Sequence, residues 1–98
     1  MNKKTKFDED FLEDASETLR VMAHPIRLAI IEILHRNGEQ SVTKIYQALD
    51  IEQAVASHHL RIMKSKKVVT VRREGQHSIY ALKDEDYCTI VALMHKLK

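Results

Sequence analysis

Gln53-Ala54-Val55-Ala56-Ser57-His58-His59-Leu60-Arg61-Ile62-Met63-Lys64-Ser65 is the stretch whose reading decides the fold. Wound as a helix, it separates into two faces. Gln53, Ala54, Ser57, His58, Arg61 and Lys64 share one face, while Val55, Ala56, His59, Leu60, Ile62 and Met63 cover the other. The polar face carries amide, hydroxyl, imidazole and guanidinium groups and no acid. Such groups fit base edges and phosphates reached from a major groove. Gln matches the paired donor and acceptor of adenine, Arg matches guanine, and the Ala54 methyl can touch a thymine methyl. A plain surface helix is also polar on one side, so its neighbours must separate the two readings.

Upstream, Ser41 is placed to cap a helix with Val42, Ile45, Tyr46 and Leu49 on one side, and Asp50-Ile51-Glu52 forms a three-residue turn. Downstream, Val68 to Arg73 and Ser78 to Leu82 are β-rich runs joined by Glu74-Gly75-Gln76-His77, which reads as a hairpin. Two helices across a short turn followed by a basic hairpin outline a winged helix-turn-helix. Further out, a first helix from about Asp8 to Met22 carries Phe11, Leu12, Ala15, Leu19 and Met22 at 3–4 spacing. His24-Pro25 separates it from a second, running to about Arg36. That helix is apolar nearly all round, hence central and buried, and Gly38 is expected in the left-handed position after it. Asp84, Glu85 and Asp86 open a last helix bearing Tyr87, Ile90, Val91, Leu93, Met94 and Leu97. The expected class is α+β, mostly helical, in the order α-α-α-α-β-β-α, with residues 1–7 a flexible start and residues 8–98 one domain.

Charge distribution agrees. The chain has 98 residues and a net charge of +2, yet residues 8–17 hold six acids and no base. Residues 53–80 hold six bases against the single acid Glu74. A basic centre behind an acidic start is the footprint of a nucleic-acid binder. Gln53, Ser57, His58 and Arg61 are the candidates for base or near-base contacts, beside Ala54. Lys64, Lys67, Arg72, Arg73 and His77 are the candidates for phosphates. The apolar stripes of the first and last helices exceed what one small core covers, so a homodimer is expected. Two symmetric copies of the 53–65 helix call for a near-palindromic site on double-stranded DNA.

The chain also resembles the ArsR/SmtB family of winged-helix repressors. Residues 19–28 (LRVMAHPIRL), 53–60 (QAVASHHL) and 72–82 (RREGQHSIYAL) are each similar to a signature of that family, in the family's order. The resemblance implies a homodimer joined by its first and last helices that binds an imperfect palindrome and represses transcription until a signal releases it. Ala54 departs from the family, where Ser is frequent.

The family's metal sites do not carry over. Its thiolate pair corresponds to Ser41 and Thr43, which supply no soft ligand. Its last-helix site finds Asp84, but Asp86 where a His belongs and Leu97 at a later ligand position. Asp84, Asp86 and His95 make only a weak set, and the reading is no metal and no cofactor. Cys88, the single cysteine, reads as a packed residue without a disulfide partner, His59 as a core histidine, and His24 as a helix-junction residue. His35 reads as a surface residue near a helix end. Two glycines cannot build a phosphate-cradling loop, and no nucleophile or His-Glu-x-x-His motif occurs, so an enzyme is not expected. No apolar run is long enough for a membrane span and no signal peptide opens the chain, so a cytoplasmic location is expected. No inducer follows from the residues. The competing reading is a winged-helix protein-interaction module without DNA binding, against which the acid-free face and Arg72 and Arg73 argue.

Overall fold

The computed structural model describes residues 6–98. The chain runs α1 (Glu9–Met22), α2 (Pro25–Asn37), β1 (Gln40–Ser41), α3 (Val42–Leu49), α4 (Gln53–Ser65), β2 (Val69–Glu74), β3 (His77–Leu82) and α5 (Asp86–Leu97). This is the winged helix-turn-helix expected, with one addition: the two-residue β1 pairs with β3, giving an antiparallel sheet in the order β1-β3-β2. The expected flexible start at residues 1–7 falls, for residues 1–5, outside the described residues.

Local chemistry sets each boundary. Asp8 caps α1 by accepting from Phe11 N, and His24 caps α2 by accepting from Ile26 N. Pro25 occupies the first turn of α2, where its missing N–H has no helical partner to lose. Gly38 ends α2 at φ +73° and ψ −155°. This is not the left-handed helical position expected for it but an extended positive-φ region open essentially to glycine alone. Ser41 caps α3 through Lys44 N.

The two ends that frame the helix-turn-helix share one device. Ile51 N bonds Tyr46 O and Asp50 N bonds Gln47 O after α3. After α4, Val68 N bonds Met63 O and Lys67 N bonds Lys64 O. Both are Schellman closures, and both put a non-glycine at positive φ: Asp50 at +53° and Lys67 at +59°. In the hairpin, Glu74 pairs with His77 across the two-residue turn Gly75-Gln76. Positive φ at Gly75 and not at Gln76 fits a type II′ turn. The strands therefore run one residue further toward the tip than the β-rich runs suggested.

The core is built around α2. Ile30, Ile31 and Leu34 pack with Ile45 of α3, Leu60 and Met63 of α4, Val68, Val69, Met22 and Val91. α1 and α5 bury little: Met22 and Val91 are their only buried residues. Phe11, Leu12 and Leu19 on α1, with Ile90, Leu93, Met94 and Leu97 on α5, remain exposed. A radius of gyration of 15.1 Å, against about 13 Å for a compact domain of this length, reflects that spread.

Candidate nucleic-acid interface

α4 occupies residues 53–65 as its periodicity dictates, and its covered face is buried at Ala56, His59, Leu60 and Met63. Gln53, Ala54, His58, Arg61 and Lys64 are exposed and Ser57 is half-buried. The span from Gln53 to Lys64 is about 16 Å at 1.5 Å per residue, close to five base-pair steps. Val55, placed on the covered face, is 38% exposed, because at about 100° per residue it lies at the edge of the arc centred on Ala56, His59, Leu60 and Met63.

The start of α4 adds groups that side-chain reasoning overlooked. Glu52 stands at the cap position without a side-chain capping bond, and its carbonyl accepts from Val55 N and Ala56 N. Among the described residues nothing accepts from the backbone N–H of Gln53 or Ala54. These donors sit at the positive end of the helix dipole, where a phosphate oxygen is favoured. The signal was present in the chain, since Glu is a poor capping residue.

The structure divides the six bases of the central region. Lys66 pairs with Glu17, and more distantly with Asp14 at 3.8 Å, tying the end of α4 to α1. Arg72 donates through Nε to Glu39 at 3.0 Å and through Nη1 to Glu74 at 2.5 Å. Its pKa is pushed upward first by the Glu39 hydrogen bond, and that of Glu39 is held below the usual range by the same contact. Arg61, Lys64, Lys67 and Arg73 have no carboxylate at ion-pair distance among the described residues. Arg73 makes one side-chain hydrogen bond, Nη1 to Ser78 Oγ at 3.3 Å.

Strand alternation separates the two wing arginines further. Arg73 shares a face with Val69, Val71 and their partners Leu82 and Tyr80, turned toward the helices. Arg72 lies on the opposite face, beside Ile79. Lys67 sits at the α4–β2 junction, and His77 is exposed opposite Glu74 at the tip. Of the ten predicted residues, six lie along α4, Lys67 closes it and Arg73 lies on the helix-facing side of the wing, whereas Arg72 and, by the same alternation, His77 lie on the opposite face, Arg72 engaged by two acids.

Outside this surface the remaining candidates have structural partners. Cys88 is half-buried, and burial, then Glu32 and Glu85, push its thiol pKa up. Asp84 accepts from Asp86 N at 2.8 Å, whereas His95 pairs with Glu32 of α2 at 2.5 Å. Among the described residues no three His, Cys, Asp or Glu side chains form a metal-holding group. His35, exposed, pairs with Glu85 at 2.7 Å. No helix among the described residues is long and apolar enough to cross a membrane.

Residues 22–72 match the model of a helix-turn-helix domain family. The chain is 38% identical over 82 residues to the transcriptional repressor SmtB of Mycobacterium tuberculosis, covering 84% of this chain and 60% of that protein's length. It is 34% identical over 87 residues to the transcriptional repressor PagR of Bacillus anthracis, covering 89% and 87% of the two chains. Among solved structures, it resembles the homodimeric winged helix-turn-helix DNA-binding domain of a possible ArsR-family transcriptional regulator from Mycobacterium bovis. That likeness has a TM-score of 0.82 and 28% identity, over 99% of this chain and 89% of the other.

Proposed function

This chain belongs to the ArsR/SmtB family of helix-turn-helix transcriptional regulators, and on that premise we propose that it is a homodimeric repressor reading DNA with α4. One observation carries the reading. α4 presents an exposed, acid-free face with Arg61 and Lys64 unpaired by carboxylates, and its open N-terminal amides lie at the same surface. Gln53, Ser57, His58 and Arg61, with the Ala54 and Val55 side chains, contact base edges or lie beside them. The Gln53 and Ala54 amides, Lys64, Lys67, Arg73 and His77 hold phosphates. Arg72 serves the wing first, fixing it to the α2–β1 loop through Glu39, and reaches DNA only by exchanging a carboxylate for a phosphate.

The exposed apolar residues of α1 and α5 support dimerisation through those helices. A groove of about 390 Å³ between α2 and α5, lined by Leu28, Ala29, Val91 and Met94, extends the same apolar surface. Two-fold symmetry then sets two α4 helices about 34 Å apart, one DNA turn, on a near-palindromic operator. Lys64, Lys67 and Arg73 from two protomers make about six phosphate contacts, hence a log–log salt slope near −5. Such a regulator acts in the cytoplasm.

Selection of the purified protein against a random duplex library at physiological salt tests the reading, with sedimentation equilibrium at micromolar concentration beside it. A dimer that enriches a near-palindrome is expected. A monomer, or no enrichment with only weak salt-sensitive binding, contradicts it and favours a protein-interaction module.

A further inference from the structure

Behind the recognition face lies a cluster that base reading does not use. His59, on the covered side of α4, is the buried polar residue of the core, at 6% exposure. Its Nδ1 accepts from Arg27 Nε at 3.1 Å. Arg27 Nη1 in turn donates to the Val21 carbonyl at 3.0 Å. One guanidinium therefore links α1, α2 and α4. His24, itself bound to Ile26 N, lies against His59 at a ring separation of 4.4 Å, and His58 meets it edge-on at 5.2 Å.

This geometry dictates the protonation state. Arginine has no acceptor, so the His59 Nδ1 must present its lone pair, and the ring is neutral with its proton on Nε2. A second proton turns that acceptor into a donor facing a donor. It also places positive charge against Arg27, and Glu17, which lines the neighbouring cleft with Arg20 and Arg27, is already paired with Lys66. We propose that Arg27–His59 is a proton-sensitive latch that positions α4 against α1, and that protonating His59 releases the latch and weakens DNA binding. The proposal rests on the reading of α4 as the DNA-binding helix.

The groups acting on His59 are all neutral or cationic. Burial acts first, then His24 and Arg27 from α2, then His58 from α4, and together they hold its pKa below 6.5. α1 contributes the Val21 carbonyl through Arg27, while the nearby Glu17 of α1 is taken by Lys66. With the folded pKa depressed, the unfolded or released state binds more protons, so stability rises with pH across the interval between the two values. The latch is intact above about 6.5 and is lost as pH falls toward the depressed folded value.

The informative quantity is the difference between the wild-type pH curve and that of His59→Gln, because every other ionisable group is common to the two proteins. Gln keeps an acceptor for Arg27 but does not titrate in this range, and residue 59 does not touch DNA in the proposed complex. With the library-selected duplex at fixed ionic strength, the two proteins should bind within about twofold of each other at pH 7.5. At pH 5.5 the wild type should bind at least about threefold more weakly than the variant, each pKa unit of separation being tenfold in the equilibrium. Superimposed pH curves overturn the latch.

An NMR titration of free wild-type protein supplies a readout that needs neither DNA nor the variant. The Arg27 Nε–H signal should move with the His59 ring at one midpoint below 6.5. An Arg27 signal indifferent to that titration overturns the proposal even if His59→Gln fails to fold. A wild type that binds no duplex at pH 7.5 overturns the DNA reading, and the coupled titration still decides the latch.

Discussion

Lys67→Gly should make the protein more stable and a weaker DNA binder at once. Lys67 closes α4 at φ +59°, a conformation that brings Cβ against the following carbonyl and costs an L-residue about 1–2 kcal/mol. Glycine removes that strain but widens the unfolded ensemble, at about 0.4–1 kcal/mol. The net gain is about 1 kcal/mol. At about 2.1 cal/mol/K of unfolding entropy per residue, it raises Tm by about 5 °C for a domain of this size. In the proposed complex the same change should delete one phosphate contact per protomer, two per dimer, each worth a factor of about five at 150 mM salt relative to 1 M. Affinity for the selected duplex should fall about 30-fold, with the salt slope moving from near −5 to near −3.5. Circular-dichroism melting at fixed protomer concentration and fluorescence anisotropy between 50 and 300 mM salt measure the two quantities. Asp50→Gly relieves the equivalent position after α3, φ +53°, without touching a phosphate-binding residue. It should raise Tm by a smaller amount, Asp tolerating this region better than Lys, and leave affinity intact. A Lys67→Gly protein that melts lower and binds as before refutes both halves of the reasoning.

The wing arginines should separate experimentally. Arg73→Ala should flatten the salt slope by about two per dimer, whereas Arg72→Ala, whose donors are held by Glu39 and Glu74, should change it less and quicken amide exchange in the wing. Leu34→Ala removes a side chain buried to 2% exposure from the centre of the core and should cost about 2–5 kcal/mol in urea denaturation. Leu93→Glu on α5, 54% exposed in the single chain, should yield a folded monomer in sedimentation equilibrium with sharply reduced duplex affinity. The Cys88 thiol, its pKa raised by burial and then by Glu32 and Glu85, should alkylate more slowly than a free cysteine at pH 7.5; equal rates would contradict its packed position.

The parts of this protein legible in its sequence are those governed by local period and local chemistry. α4 begins at Gln53 and ends at Ser65 as its two-faced pattern indicates, Ser41 and Pro25 stand where capping and fixed φ suit them, and Gly75 makes the hairpin turn. What escaped depends on distant partners. β1 is two residues whose pairing exists because β3 lies beside it, and two residues carry no alternation to read. The diversion of Arg72 needs Glu39, 33 positions away, and the latch needs Arg27 and His59, 32 apart. Grouping Arg72 with Arg73 overlooked that adjacent strand residues face opposite ways. Val55 reads as part of the covered face, but it lies at the edge of the arc that Ala56, His59, Leu60 and Met63 bury, and how wide that arc is depends on the elements packed against it.

The central claim is that α4 reads sequence, and the most direct test compares the selected duplex with a scrambled one of the same composition. Wild-type protein and a Gln53→Ala, Arg61→Ala double variant would be titrated against both at 150 mM salt. The wild type should prefer the selected duplex by about a thousandfold or more. The variant should lose most of that preference while binding the scrambled duplex through its remaining phosphate contacts. A double variant that keeps the wild-type preference would show that α4 is not the reading element.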